Sequence, residues 1–283
     1  MVAFYFGMTF SLRYMPFCLF FSVVIYLYLS ILFDSTLWGK SFVVSSNQKP
    51  NFRGTLLLIN PNSKVEIIAP SISTKDMIPE IIYGTAWKKE RTAQLVEQAV
   101  RAGFRAIDTA CQPKHYYEKG VGDALIKLTA EGIVKREDLF IQSKFTSLRG
   151  QDPRNIPYDR NAPLREQVMQ SFAKSCENLR TNYLDSLVMH SPMDTIADTI
   201  TVWRAFEEIH KRGGVKHLGL SNTYDLRVLQ TVYEHAEIKP YFLQNRFYAD
   251  SGYDVQIREY CRSHNIRYQS FWTLTGNPHI LKA

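Results

Sequence analysis

The chain has 283 residues, 45% of them hydrophobic and 22% charged, a composition ordinary for a globular protein and a length that suits one barrel domain or two smaller ones. Its 34 basic and 27 acidic residues give a formal charge of +7, but the excess is scattered, and the absence of a long Lys/Arg run argues against a nucleic-acid role. Cys18, Cys111, Cys176 and Cys261 are far apart and form no CxxC pair, so neither a zinc site nor a disulfide framework is implied.

Met15 to Phe33 is a charge-free apolar run flanked by Arg13 and Asp34. As a helix it would span about 28 Å, close to the hydrocarbon thickness of a bilayer. Two readings stand: a membrane anchor or uncleaved signal-anchor within residues 15–33, and a mis-assigned first exon of an intracellular enzyme. The expected division is a hydrophobic segment over 1–40, a linker over 41–75 and a barrel over 76–283. Within the linker, two apolar stretches around Asn60-Pro61-Asn62 predict a hairpin over Gly54 to Ala69.

From Pro79 onward, strands and helices alternate. The strand candidates are Ile81–Tyr83, Arg105–Asp108, Leu139–Ser143, Ser186–Met189, His217–Leu220, Phe242–Gln244 and Arg267–Ser270. Most are apolar without alternation, as strands covered on both faces are. Between them, Val168, Phe172, Cys176 and Leu179, and later Leu226, Leu229, Val232 and Ala236, fall at helical spacing. Gly103 and Gly213-Gly214 stand where helices end. Repeated βα units mean a parallel sheet. The fold class expected is therefore α/β, a (β/α)8 TIM barrel with seven strands present and the eighth missing. Such a barrel has two unpaired edges, and an unstable chain of low activity is expected of it.

In parallel barrels the active site forms where the strands end. Asp108 stands at the end of the second strand, Lys144 of the third and His190 of the fourth; Ser221 and Asn222 follow the fifth, and Gln244 ends the sixth. One polar residue at a strand end is usually a cap. Several at successive ends of one sheet converge on one cavity. No His/carboxylate cluster at these ends has the spacing of a metal site, so no metal is expected.

These residues resemble the aldo-keto reductase family. Asp108-Thr109-Ala110, then Tyr116, Lys144 and His190 follow the family's order, and the stretch Gly84-Thr85-x-Trp87, the Ser221-Asn222 pair and Gln244 fit it too. The resemblance runs from about Pro79 to the end. It implies reduction of an aldehyde or ketone with hydride from NADPH, or NADH, acting on a small carbonyl substrate in a cytoplasmic domain. It implies catalytic roles for Asp108, Tyr116, Lys144 and His190. Thr85, Ser221, Asn222, Gln244 and Gln269 would contact the cofactor. Tyr would be the proton donor, Lys144 would stabilise its phenolate, Asp108 would hold Lys144, and His190 would orient the substrate oxygen.

Two features depart from the family. The segment CQPKHYYE carries an insertion, leaving both Tyr116 and Tyr117 as candidate acids, with Tyr116 favoured by counting back from Glu118 and Val121-Gly122. The residue expected to stack on the nicotinamide, often aromatic, is Gln269, with Phe271 or Trp272 as compensation. The loop from Thr146 to Pro163 is long enough to overhang the site, with Arg149, Tyr158 and Arg160 as candidate substrate contacts or parts of a solvated excursion. The rival to an enzyme is a catalytically impaired, cofactor-binding regulatory or scaffold protein of the same fold.

Overall fold

The computed structural model describes residues 78–279. The apolar run over residues 15–33 and the hairpin expected over 54–69 lie outside the described residues. Among the described residues, no helix is long and apolar enough to cross a membrane.

Seven strands form one parallel sheet in sequential order: β1 (Tyr83–Gly84), β2 (Ala106–Asp108), β3 (Phe140–Phe145), β4 (Leu184–Met189), β5 (Val215–Ser221), β6 (Phe242–Arg246) and β7 (Arg267–Phe271). Six helices make the crossovers: α1 (Thr92–Arg101), α2 (Glu118–Ala130), α3 (Leu164–Leu179), α4 (Ile196–Lys211), α5 (Leu226–His235) and α6 (Val255–Ser263). All seven strands expected from the sequence are present. β3, β5, β6 and β7 run one or two residues further at their C-terminal ends than expected because those ends stay paired into the catalytic pole, whereas β4 gains two residues at its N-terminal end.

The helices follow from local chemistry. Thr195 caps α4 by accepting the Asp198 amide at 3.0 Å, and Asp225 caps α5 by accepting the Arg227 amide at 2.9 Å. Gly213 ends α4 at φ 76°, a left-handed conformation that suits glycine. In α4, Val202, Phe206 and Ile209 are buried, each stabilising by roughly 1.5–3 kcal/mol. The face that α3 buries differs from the expected stripe. Val168 and Leu179 are buried, but Ser171 and Ser175 share their face, while Cys176 is only partly so. For Ser175 the reason is a carboxylate. Glu118 at the start of α2 is 4% exposed, and Ser175 and Ser143 donate to its Oε1 at 2.8 and 2.6 Å. Gly122 allows the two helices to approach: a Cβ there would collide with the Asn178 carbonyl.

The sheet curls until its two halves touch. On the inner face Ala106, Phe140 and Phe242 form an apolar floor beneath the site, joined by Ile82 and Tyr241. One layer above, Gln142 of β3 donates to Gln269 of β7 at 2.9 Å, and Gln244 of β6 donates to Asp108 of β2 at 3.2 Å. Strands separated by three others in the sheet order therefore face each other across a closed interior, as in a barrel. β1 and β7 are the sheet's edges among the described residues. β3 and β4 are buried at every position, whereas no residue of β7 is.

Candidate active site

The C-terminal ends of β2, β3 and β4 place three charged or titratable side chains in one cluster. Asp108 and Lys144 are inward-facing on adjacent strands. The Lys144 ammonium, 1% exposed, donates to both Asp108 carboxylate oxygens at 2.6 Å and to the Thr109 carbonyl at 2.9 Å. Burial alone would drive the ammonium's pKa down. The charges of Asp108, Tyr116 and Glu118 reverse that, and the net direction is up, so Lys144 stays charged.

Tyr116 stands over this pair, with the Lys144 Nζ 5.2 Å from its ring centroid and the His190 ring 5.8 Å away, edge-on. Burial pushes the phenol above its ordinary value; Lys144 pulls it back and Asp108 opposes Lys144, leaving the net direction up. Tyr117 is 41% exposed and has no contact with the pair, so of the two adjacent tyrosines only Tyr116 is in the cluster. The insertion itself is a helical turn: the His115 and Tyr116 amides both donate to the Gln112 carbonyl. Gln112 Nε2 then donates to the Gly150 carbonyl at 2.7 Å, tying the insertion to the long loop.

His190 is held neutral. Burial, with the nearby Lys144 and His115 charges, pushes its pKa down to about 3. Its Nδ1 lies 2.6 Å from the Thr146 hydroxyl. When the hydroxyl donates to Nδ1 the proton sits on Nε2, and in that tautomer the ring can donate to a ligand.

The expected cofactor residues fall on the other side of the interior. Ser221 Oγ donates to the Gln244 carbonyl at 2.7 Å, and Asn222 Nδ2 donates to the His190 carbonyl at 2.8 Å. Asn222 has φ 49°, a strained position for a non-glycine residue. Gln244 Nε2 donates to Asp108 and to Gln269 Oε1. Gln269 is joined to Gln142 as well, so its side chain is part of a lattice of three amides around Asp108. Phe271 and Trp272, the expected compensation for Gln269, instead face the Arg246 guanidinium at 5.9 and 4.4 Å. Thr85 is fully buried and its hydroxyl donates to the Asp108 carbonyl at 2.9 Å, bracing β1 against β2.

Three positions escaped the sequence reading. Gln142 donates to Asp108 Oδ1 at 2.7 Å; its inward parity with Lys144, two residues on, was the only signal available. Thr146 and Glu118 carried none. Of the loop candidates, Tyr158 is not a substrate contact. It is 8% exposed, packs on Phe145 and donates to the Thr146 carbonyl at 2.7 Å. Arg149 pairs with Asp194 on the surface and Arg160 is exposed. Cys111 is buried and its thiol pKa is raised by burial, which makes it inert rather than reactive. Among the described residues, no group of three or more His, Cys, Asp and Glu could hold a metal ion.

Comparison with known proteins gives the family and the fold. Residues 80–278 match the family model described as the Aldo/keto reductase family. The chain is 33% identical over 177 residues to a glyoxal reductase of Bacillus subtilis, covering 62% of this chain and 55% of that protein. It is 30% identical over 191 residues to an NAD(P)H-dependent D-xylose reductase of Pachysolen tannophilus, covering 59% and 55%. The chain thus spans about half the length of these curated relatives. Among solved structures, an aldo/keto reductase from Brucella melitensis superposes with a TM-score of 0.57 at 27% identity, covering 70% of each chain. An aldo-keto reductase of Bombyx mori in complex with NADP superposes with a TM-score of 0.57 at 23% identity, covering 69% of this chain and 62% of that one, a likeness of fold.

Proposed function

The chain belongs to the aldo/keto reductase family, and from that premise we propose that residues 76–283 reduce the carbonyl of a small aldehyde or ketone to an alcohol, with Tyr116 as the proton donor and NADPH as the cofactor, NADH being the alternative. The observation that carries the reading is the buried Lys144–Asp108 pair at 2.6 Å beneath the Tyr116 ring, with His190 beside it. The names of the relatives, a glyoxal and a xylose reductase, support small aldehydes as the substrate class. A cytoplasmic location for this domain is part of the same proposal.

The residues at the ends of β5 and β6 fit a nicotinamide. Its carboxamide needs an acceptor and a donor. Gln244 spends its Nε2 on Asp108 and Gln269, which leaves its Oε1 without a partner among the described residues. Asn222 can exchange its 3.3 Å bond to Ser221 Oγ for one to a ligand oxygen. When bound, the nicotinamide supplies the hydride.

The chain's own groups supply the rest. His190 donates its Nε2 proton as a hydrogen bond to the carbonyl oxygen, polarising it and fixing its approach. Tyr116 gives its hydroxyl proton to that oxygen as the carbon becomes tetrahedral. The phenolate left behind is stabilised by the fixed charge of Lys144, then regains a proton from water. Asp108 keeps Lys144 charged and immobile. Gln142 and Gln244 each donate to the carboxylate of Asp108, so it cannot swing toward the phenol.

Tyr116→Phe is the test, read as NADPH consumption with a small aldehyde and, separately, as NADPH binding by fluorescence titration. Turnover should fall by about 10²–10⁴ while binding stays within a few-fold, because only proton transfer is removed. Wild-type chain that binds NADPH yet shows no turnover with any carbonyl would favour the scaffold reading. Equal turnover in the variant would move the acid to another residue.

A further inference from the structure

Arg246 ends β6 on the catalytic pole, one inward step beyond Gln244. Its register partner on β7 is Phe271, as Gln269 is the partner of Gln244. Three aromatic rings surround its guanidinium: Trp272 at 4.4 Å, Tyr248 at 5.4 Å and Phe271 at 5.9 Å. Its Nε is covered and has no hydrogen-bond partner among the described residues. Among the described residues no carboxylate pairs with it. Asp254, at the start of α6, is taken by Asn245 Nδ2 at 2.8 Å and the Tyr268 hydroxyl at 2.9 Å. Arg105, at the other end of the sheet, is different: it gives Nη1 to the Val100 and Phe104 carbonyls at 2.9 Å.

The position of Arg246 is tied to the site. Its backbone amide donates to the Tyr224 hydroxyl at 3.1 Å, that hydroxyl donates to Asn222 Oδ1 at 3.3 Å, and Asn222 donates to the His190 carbonyl at 2.8 Å. A guanidinium is always charged, is weakly hydrated and lies readily on aromatic faces, which leaves its edge free to fork onto an oxyanion. Here the aromatic rings flank the guanidinium, its charge has no counter-ion among the described residues, and it stands at the C-terminal end of β6, one inward step beyond Gln244.

We propose that Arg246, clamped by Trp272, Tyr248 and Phe271, is an oxyanion-recognition site that takes a phosphate or carboxylate group of a ligand bound beside Asn222 and Gln244. The proposal rests on the reductase reading only for the identity of that ligand; the anion site itself does not require turnover. The two sources of the anion are a phosphate of the cofactor and a carboxylate of the substrate.

Calorimetric titration of the full chain tests it, with inorganic pyrophosphate as the phosphate probe and 4-carboxybenzaldehyde, against benzaldehyde, as the carboxylate probe. In Arg246→Gln the affinity for the probe that uses the site should fall about tenfold or more, the effect of losing a charge-assisted hydrogen bond. Arg246→Lys, which keeps the charge and most of the stem, should recover part of it and guards against a folding defect in the first variant. Loss confined to pyrophosphate assigns the site to a phosphate; loss confined to the carboxylated aldehyde assigns it to a substrate carboxylate. Identical binding of both probes by wild type and Arg246→Gln, or binding of neither by wild type, overturns the site and leaves Arg246 as packing. Turnover with benzaldehyde, measured separately, decides the reductase reading by itself.

Discussion

The two halves of the sheet differ in how the charged and titratable side chains at their C-terminal ends are partnered. Where β2, β3 and β4 end, Lys144 has three acceptors, Asp108 has donors from Lys144 and two glutamines, and His190 has Thr146. Where β6 and β7 end, Gln244 keeps an unpaired oxygen, Arg246 a covered Nε without a partner, and β7 has no buried residue. Buried polar groups are costly unless paired. The first half is therefore an assembled chemical group. The second is arranged as a receptor, whose open valences a ligand would fill. Ligand binding should thus rigidify β6–β7 more than β2–β4.

The comparison breaks most visibly at Lys144. Lys144→Met leaves the Asp108 carboxylate buried without its cation, and the expected loss in urea unfolding is about 3–5 kcal/mol. Adding Asp108→Asn should return much of it, because no charge is then left unpaired. A single variant as stable as wild type would mean that Asp108 is protonated or hydrated, and that the first half is not the closed unit described.

A smaller effect comes from His190. Its folded pKa, about 3, lies below the unfolded value of about 6.5. The unfolded chain therefore binds a proton that the native one refuses, so stability is present above about pH 6.5 and falls as pH drops through the interval down to about pH 3. The slope should be on the order of 1.4 kcal/mol per pH unit in that window. Replacing His190 with Gln should flatten the acid limb of the stability curve. The same shift leaves kcat/KM without a histidine limb near pH 6.5, which a pH–rate profile with a neutral aldehyde would check.

The mildest expected effect sharpens the contrast within the first half. Thr146→Val removes the hydroxyl at His190 Nδ1 but keeps the side chain's shape. The Nε2–H tautomer loses its support, and kcat should drop by about fivefold to tenfold, the effect of roughly 1 kcal/mol, with cofactor affinity unmoved. Nitrogen chemical shifts of His190 should report a redistribution between the two tautomers. Unchanged shifts and rate would show that the ring is oriented by the Asn222 contact on its backbone instead.

Sequence by itself determined the order of seven strands, the alternation with helices and the convergence of Asp108, Lys144, His190, Ser221, Asn222 and Gln244 on one pole. Those features are local: apolar runs, caps, and a polar residue at each strand end report directly on burial and pairing. It also left Tyr116 and Tyr117 open, because two adjacent residues in the non-helical stretch before Glu118 point one phenol above Lys144 and leave the other 41% exposed. Curling of the sheet decided the rest. The Gln142–Gln269 bond joins residues 127 apart and the Gln244–Asp108 bond residues 136 apart, and no periodicity in the chain announces either. Ser175 lies on the buried face of α3 for the same reason: the Glu118 carboxylate to which it donates comes from another helix. Arg246 reads in the chain as one more surface cation. Only the pairing of β6 with β7 surrounds it with Trp272, Tyr248 and Phe271 and leaves it without an acid among the described residues, because partners across a barrel are chosen by the curvature of the sheet and not by distance along the chain.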